Sequence, residues 1–212
     1  FQFLEVGEGK PILILHGLMG GLSNFHGVTD YFPSKGYKVI IPVLPIYDLP
    51  LLKTNVKEFA KYVNQFISHL GLNDVTLLGN SLGGHIGLLV SLMYPKNIRG
   101  LIITGSSGLY ENSMGESYPK REDKDYMRKK CEEVFYDPKV ATDEVVDEVF
   151  ETVNDRKKLV KILTIAKSAI RHNMSKDLPK IKIPTAIIWG KNDIVTPPEV
   201  GHDFNRLLPN ST

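Results

Sequence analysis

One five-residue pattern, Gly-x-Ser-x-Gly, constrains this chain of 212 residues more than any other feature. It occupies residues 79–83 and directly follows an apolar run at 75–78, so it stands between a predicted strand and a predicted helix. A sharp strand-to-helix turn would hold the hydroxyl of Ser81 exposed, and only glycine on either side lets the backbones approach that closely. The pattern predicts that Ser81 is a nucleophile, with a plain glycine-rich turn as the alternative.

Short apolar runs alternate with helical patterns along the rest of the chain. The residues between 55 and 70 repeat an apolar side chain every three or four positions, with Asn55 and Glu58 as a cap and Gly71 at the end, and a second helix is predicted at 82–94. Strands are predicted at 1–6, 11–15, 38–43, 75–78, 101–104 and 186–190. This alternation favours the α/β class, with a doubly wound, mostly parallel sheet covered on both faces.

Two further motifs follow predicted strands. His16-Gly17-Leu18-Met19-Gly20 comes after the run at 11–15, and Trp189-Gly190 is followed by Asp193 and Pro197. Together, His-Gly-x-x-Gly, Gly-x-Ser-x-Gly and Trp-Gly-x-x-Asp-x-x-x-Pro resemble the α/β-hydrolase family over nearly the whole chain. The resemblance implies the α/β-hydrolase fold and a serine hydrolase in which Ser81 is the nucleophile and Asp193 the acid of a catalytic triad. The alternative for Asp193 is a turn aspartate.

An oxyanion hole is the next part that such a hydrolase needs. Two preorganised N–H donors must meet the charge that develops on the substrate's carbonyl oxygen. Leu82, the residue after the nucleophile, is expected to supply one backbone N–H, and the family resemblance places the second at Leu18. Both leucines can also belong to the core, because only their amides are required.

The general base is the part that the sequence does not provide. The family order is Ser, Asp, His, with the histidine beyond one more strand, yet only 19 residues follow Asp193. His202, in a predicted helix at 199–208, and His172 are poor substitutes. Our interpretation is a fragment that lacks the final strand, the catalytic histidine and a closing helix. The remaining histidines fit the role no better: His16, His26, His69 and His85.

The segment 110–176 differs from the rest because it is rich in charge and poor in strand patterns. Its helical patterns lie at 123–135, 142–153 and 156–172. By resemblance to capped α/β-hydrolases, it is expected to form a helical cap over the active site, with a surface elaboration as the alternative. The predicted organisation is a first core part at 1–109, the cap insertion at 110–176 and a second core part at 177–212.

The amino-acid composition limits the kinds of partner that this protein is expected to bind. The formal charge of +2 comes from 26 basic and 24 acidic residues, a balance that excludes a nucleic-acid footprint. Cys131 is the only cysteine, which excludes an intrachain disulfide and favours a reducing, cytoplasmic compartment. No apolar run is long enough to span a membrane. We expect a small-molecule substrate and neither a cofactor nor a metal, and the sequence leaves the oligomeric state open.

The expected substrate class follows from the turn at residues 79–83, which we call the elbow, and from its predicted surroundings. The loop at 43–50 is apolar, as are Leu18, Met19, Phe25 and Leu82, which favours an uncharged, hydrophobic acyl or alcohol group. A serine at the elbow argues against the relatives that use aspartate there, the haloalkane dehalogenases and epoxide hydrolases. The elbow resembles those of carboxylesterases and of hydrolases that cleave carbon–carbon bonds in ring-fission products. An esterase is the primary prediction; a carbon–carbon bond hydrolase and a non-catalytic small-molecule receptor are the alternatives.

Overall fold

A six-stranded sheet forms the centre of the molecule. The computed structural model describes residues 1–19, 25–112 and 120–212. The strands follow the order β1-β3-β2-β4-β5-β6 across the sheet. Their bounds are Phe3–Val6 (β1), Lys10–Leu15 (β2), Tyr37–Pro42 (β3), Val75–Asn80 (β4), Ile98–Thr104 (β5) and Thr185–Ile188 (β6).

All neighbouring strands are parallel except β1, which pairs antiparallel with β3. The register places Leu15 opposite Gly79, and Asn80 opposite Thr104. The carboxyl ends of β2, β4 and β5 therefore meet at one edge of the sheet. This is the edge at which parallel α/β sheets bind their ligands.

The described residues also form seven α-helices, of which six lie between strands in the chain and α7 follows β6. As predicted, the Asn55 side chain caps α2 by accepting the N–H of Glu58 at 3.1 Å, and Gly71 follows the helix with a φ of 61°. The helices are His26–Tyr31 (α1), Val56–His69 (α2), Leu82–Met93 (α3), Lys124–Glu132 (α4), Asp143–Asn154 (α5), Arg156–Arg171 (α6) and Pro198–Leu207 (α7).

Alternating side chains of the strands fill two cores on opposite faces of the sheet. Leu13 and Leu15 belong to the larger core, which also holds the buried side chains of α2 and α3. Ile12 and Ile14 belong to the smaller core on the other face. Phe25 packs in this smaller core, so the expectation that it lies near the predicted site is wrong. The reason is that Phe25 directly precedes α1, and Val28 of that helix packs against the same core.

The helices α4, α5 and α6 all lie between β5 and β6 in the chain. Cys131 of α4 packs with Ala141 and with Val146 of α5 in a small separate core. The division into a core and a cap at 110–176 stays a prediction, and residues 113–119 of that segment lie outside the described residues.

The last residues run beside β6. Thr185 donates its N–H to the carbonyl of Asn210 at 2.9 Å, and Thr212 donates to the carbonyl of Thr185 at 3.1 Å. A parallel bridge joins Thr185 to Ser211. Among the described helices, none combines the length and the apolar composition that a membrane span requires.

Candidate active site

Ser81 occupies a strained turn between β4 and α3. Its φ is 53° and its ψ is −118°, a region that residues with a side chain rarely adopt. Its N–H donates to the carbonyl of Thr104 at 3.1 Å, and its carbonyl accepts the N–H groups of Gly84 at 3.0 Å and Ser107 at 3.2 Å. Bonds to β5, to the segment after it and to the first turn of α3 therefore hold Ser81 in this conformation.

The glycines around Ser81 are required by close backbone contacts. A Cβ at Gly83 would overlap the carbonyl of Leu15, and a Cβ at Gly79 would overlap the carbonyl of Gly83. The geometry agrees with the expectation that only glycine permits this approach. The sheet and α3 are thereby drawn together directly beneath Ser81.

The loop after β2 lies against the elbow. A Cβ at Gly17 would stand 3.5 Å from the Cβ of Ser81, which places Leu18, the next residue, beside the nucleophile. Within the described residues, no protein acceptor is found for the backbone N–H of Leu18 or of Leu82. Both amides are thus available to a ligand, as an oxyanion hole requires.

His16 fixes the conformation of this loop. Its Nε2 accepts the N–H of Leu44 at 3.2 Å, which requires Nε2 to be unprotonated. Its Nδ1 lies 2.8 Å from the carbonyl of Gly17 and therefore carries the proton that is donated there. Burial lowers the pKa of His16, although the bond to Gly17 opposes that shift. The neutral ring joins the loop after β2 to the loop after β3.

Asp193 lies at the same edge of the sheet, after β6. Its Oδ1 accepts the N–H groups of Val195 and Thr196, each at 2.9 Å, and its Oδ2 accepts the hydroxyl of Thr196 at 3.0 Å. A Cβ at Gly105, directly after β5, would lie 3.0 Å from Oδ2. The carboxylate therefore stands beside the end of β5, the strand that is hydrogen-bonded to the Ser81 turn.

Two asparagines that the sequence analysis did not select support this arrangement. Asn112 donates its backbone N–H to the carbonyl of Val195 at 2.7 Å and its side-chain amide to the carbonyl of Ile194 at 2.8 Å. Asn80 donates its side-chain amide to both the carbonyl and the hydroxyl of Thr104. Their roles depend on contacts between distant segments: Asn80 stands at a variable position of the Gly-x-Ser-x-Gly pattern, and Asn112 belongs to none of the three motifs.

None of the six histidines is hydrogen-bonded to the Ser81 hydroxyl, which has no hydrogen-bond partner in the part of the chain that the structure describes. His202 is exposed on α7. His172 instead approaches His85, with its Nδ1 3.1 Å from the Nε2 of His85. Burial, and secondly the neighbouring His172, lower the pKa of His85 to about 3. The geometry brings Ser81, Leu18, Leu82 and Asp193 to one edge of the sheet without a base.

A pocket of about 200 Å³ opens next to His16 and Leu18. Its wall is largely apolar, as predicted from the loop at 43–50, but Asp48 and Glu148 add two carboxylates that the sequence analysis did not expect. Burial raises the pKa of Tyr47, and the charge of Glu148 adds to that shift. The lining residues are His16, Leu18, Met19, Val43, Leu44, Ile46, Tyr47, Asp48, Glu148, Val149 and Thr152.

Comparison with known families identifies the class of this fold and site. Residues 10–135 match the model of the α/β hydrolase fold family, which is more than half of the chain. The chain belongs to that family. The predicted fold class is confirmed, since solved α/β hydrolases superimpose on nearly the whole chain.

Individual relatives agree with this assignment. An α/β-hydrolase enzyme from the metagenome of sediments of the Mar Chica lagoon, Morocco, is 57% identical, with a TM-score of 0.80 over 99% of this chain and 81% of that one. A 2-hydroxy-6-oxononadienedioate/2-hydroxy-6-oxononatrienedioate hydrolase of a Pseudomonas species is 26% identical over 93% of this chain and 76% of its own length. Lipase 3 of a Moraxella species is 28% identical over 95% of this chain and 68% of its own. The prediction of an α/β-hydrolase enzyme is confirmed.

Proposed function

We propose that this protein is a serine hydrolase that cleaves small, largely apolar esters through an acyl-enzyme on Ser81. The observation that carries the proposal is the strained turn at Ser81, with Gly17 packed against it and with N–H groups at Leu18 and Leu82 that have no acceptor among the described residues. Strain of this kind persists only where surrounding structure enforces it, and it is concentrated at functional sites.

The reaction follows from this arrangement. The Ser81 oxygen attacks the ester carbonyl, and the backbone N–H groups of Leu18 and Leu82 stabilise the resulting oxyanion. The general base takes the Ser81 proton and gives it to the departing alkoxide, which leaves as the alcohol. The base then takes a proton from water, whose oxygen attacks the acyl-enzyme, and returns that proton to Ser81 as the acid is released. Asp193 orients the general base and stabilises its cation. The general base of the proposed mechanism is a histidine, the residue type that takes this role in Ser-His-Asp triads.

The pocket beside Leu18, one of the two proposed oxyanion-hole residues, is the place that we propose for the substrate, and its charge supports an ester over a ring-fission product. The Pseudomonas relative is named for a dioate, a substrate with two carboxylates. Here Asp48 and Glu148 line the pocket, and no lysine or arginine is among its described lining residues. Two carboxylates would repel a dianion, whereas an uncharged ester meets no such penalty. The similarity to Lipase 3 of a Moraxella species also favours an ester as the substrate.

The helix α5 supports the cap assignment. Glu148, Val149 and Thr152 of this helix face His16 and Leu18 across the pocket. We therefore propose that the segment 110–176 acts as a cap that shapes the substrate pocket, as such insertions often do. We also propose a cytoplasmic location, because a chain with a single cysteine suits a reducing compartment.

Hydrolysis of two matched esters tests the proposal on the full-length protein. We expect p-nitrophenyl butyrate to be cleaved faster than p-nitrophenyl hemisuccinate, which carries a carboxylate, and Ser81→Ala to remove the activity. The double variant Asp48→Asn, Glu148→Gln should narrow the difference between the two esters. Binding of the esters without turnover would favour the receptor alternative. Turnover that persists in Ser81→Ala would exclude the acyl-enzyme.

A further inference from the structure

A second cavity lies outside the proposed catalytic site, between the start of α2 and the last turns of α6. Its volume is about 480 Å³, which is more than twice that of the pocket beside Leu18. The lining side chains are polar or basic with one exception, Val56. They are Thr54, Asn55, Val56, Lys57, Thr164, Lys167, Ser168, Arg171 and His172. We call this cavity the basic groove.

The cations of the basic groove form no ion pairs in the described residues, although the Asp177 carboxylate, which is not part of the groove's lining, interacts electrostatically with Lys57. Lys57 comes from α2, and Lys167 and Arg171 come from α6; among the described residues, none of the three has an ion-pair partner and no carboxylate lines the groove. Elsewhere, Lys61 pairs with Glu58 three residues away, and other surface cations form similar pairs. Three cations gathered around one concave surface repel one another unless an anion lies between them.

Neutral donors also face this groove. The Ser168 hydroxyl oxygen accepts the N–H of Val56 at 3.3 Å, so its own proton has no acceptor among the described residues. The Asn55 side chain takes the N–H of Glu58, which leaves the Lys57 N–H, in the first turn of α2, without a protein acceptor there. Hydroxyl and amide donors beside lysine and arginine are the groups that bind phosphate oxygens.

His172 connects the groove to the catalytic helix. Its ring lines the groove, and its Nδ1 lies 3.1 Å from the Nε2 of His85 in the first turns of α3. Burial, and secondly the charge of Lys57, lower the pKa of His172, while the nearby Asp177 carboxylate opposes this shift. Lys57 is therefore close enough to influence the imidazole, and a bound anion would act in the opposite direction.

We propose that the basic groove binds the phosphate group of a small ligand, held by Lys57 of α2 together with Lys167 and Arg171 of α6. Arg171 is suited to this role because its planar guanidinium binds two phosphate oxygens at once. Because the cations come from two helices, the bound phosphate joins α2 to α6. Phosphate binding in the basic groove does not depend on ester hydrolysis at Ser81. This inference is therefore independent of the proposed function.

Thermal unfolding of the full-length protein with inorganic phosphate tests the proposal. Ionic strength is held constant with sodium chloride, because screening alone changes the repulsion between the cations. We expect a saturable rise of the unfolding midpoint, roughly 5 °C at a phosphate concentration about 100 times Kd. Arg171→Gln and Lys57→Gln should each weaken the apparent affinity roughly tenfold. Lys96→Gln removes the same charge from an exposed position outside the groove and should respond like the wild type.

The NMR titration of His172 provides a second readout, since a bound phosphate should raise its pKa. With phosphate binding established, sedimentation with phosphatidylglycerol vesicles identifies the source: co-sedimentation that Arg171→Gln abolishes indicates a lipid head group, and its absence a soluble phosphate. The proposal is overturned by a midpoint that follows ionic strength alone. Equal phosphate responses of Arg171→Gln, Lys57→Gln and Lys96→Gln would also overturn it.

Discussion

The Nε2 atom of His85 lies 3.1 Å from the Nδ1 atom of His172, and this contact joins α3, the helix that begins after Ser81, to the end of α6. His85 is fully buried, and its Nδ1 has no partner among the described residues. One ring nitrogen of the pair donates a proton and the other accepts it, and the lowered pKa values of both histidines favour two neutral imidazoles.

Stability should therefore fall as the pH is lowered below about 6.5, the ordinary pKa of histidine. The pKa of His85 in the fold is about 3, and that of His172, which Lys57 and Asp177 also influence, is lowered as well. The unfolded chain thus takes up protons that the fold does not. The free energy of unfolding drops by up to about 1.4 kcal/mol per pH unit for His85, and His172 adds to this drop. Urea unfolding between pH 7 and pH 5 measures this slope.

The variant His85→Gln provides the control for this pH dependence. Glutamine keeps a donor for His172 but does not titrate, so the slope between pH 6.5 and 5 should lose the contribution of one proton. Equal slopes in the variant and the wild type would show that His85 is not responsible.

Substitution of Gly83 by alanine should destabilise the elbow strongly. The new Cβ would overlap the Leu15 carbonyl, a backbone atom that cannot move away without displacing β2. We expect a loss of about 3 kcal/mol or more, or failure to fold. The matched control is Gly27→Ala in α1, where a Cβ meets nothing within 4 Å and helix propensity predicts a gain of up to about 1 kcal/mol. Equal unfolding free energies for the two variants would contradict the close-contact account.

The backbone strain at Ser81 should be measurable as a difference in the free energy of unfolding between two variants. Ser81→Gly and Ser81→Ala both remove the hydroxyl, but only glycine relieves the backbone at a φ of 53°. We expect the glycine variant to be about 1 kcal/mol more stable than the alanine variant, as determined from urea unfolding. An alanine variant that is as stable as the glycine variant would mean that the turn carries no strain.

His16 should affect catalysis through the position of the Leu18 amide. In His16→Ala the bond to the Leu44 N–H is lost, and the loop after β2 loses its connection to the loop after β3. We expect kcat for p-nitrophenyl butyrate to fall on the order of 10- to 100-fold, with a smaller change in KM. An unchanged kcat would show that the loop holds its position without His16.

The sequence predicted the parts of the fold that depend on local patterns. The strands around Leu13 and Leu77 follow from apolar runs, and α2 follows from its period and its Asn55 cap. Contacts between distant segments left no such signal. The His85–His172 pair spans 87 positions, and the bond from Asn112 to Ile194 spans 82.

The side chains that face the pocket were also hard to predict. Asp48 and Glu148 line the same pocket only because α5 packs across the loop after β3. Phe25 shows the converse, since its apolar side chain suited a pocket but packs on the other face of the sheet. Direction of a side chain in a loop depends on tertiary packing, which the local sequence does not encode.

Covalent labelling of Ser81 tests the central claim most directly. A fluorophosphonate probe applied to the full-length protein should form one adduct, which peptide mapping by mass spectrometry locates on the peptide containing Ser81. Ser81→Ala should not be labelled, while Ser106→Ala, which removes a buried hydroxyl beside Gly84, should be labelled like the wild type. Labelling that persists in Ser81→Ala, or an adduct on a different serine, would contradict the assignment of Ser81 as the nucleophile.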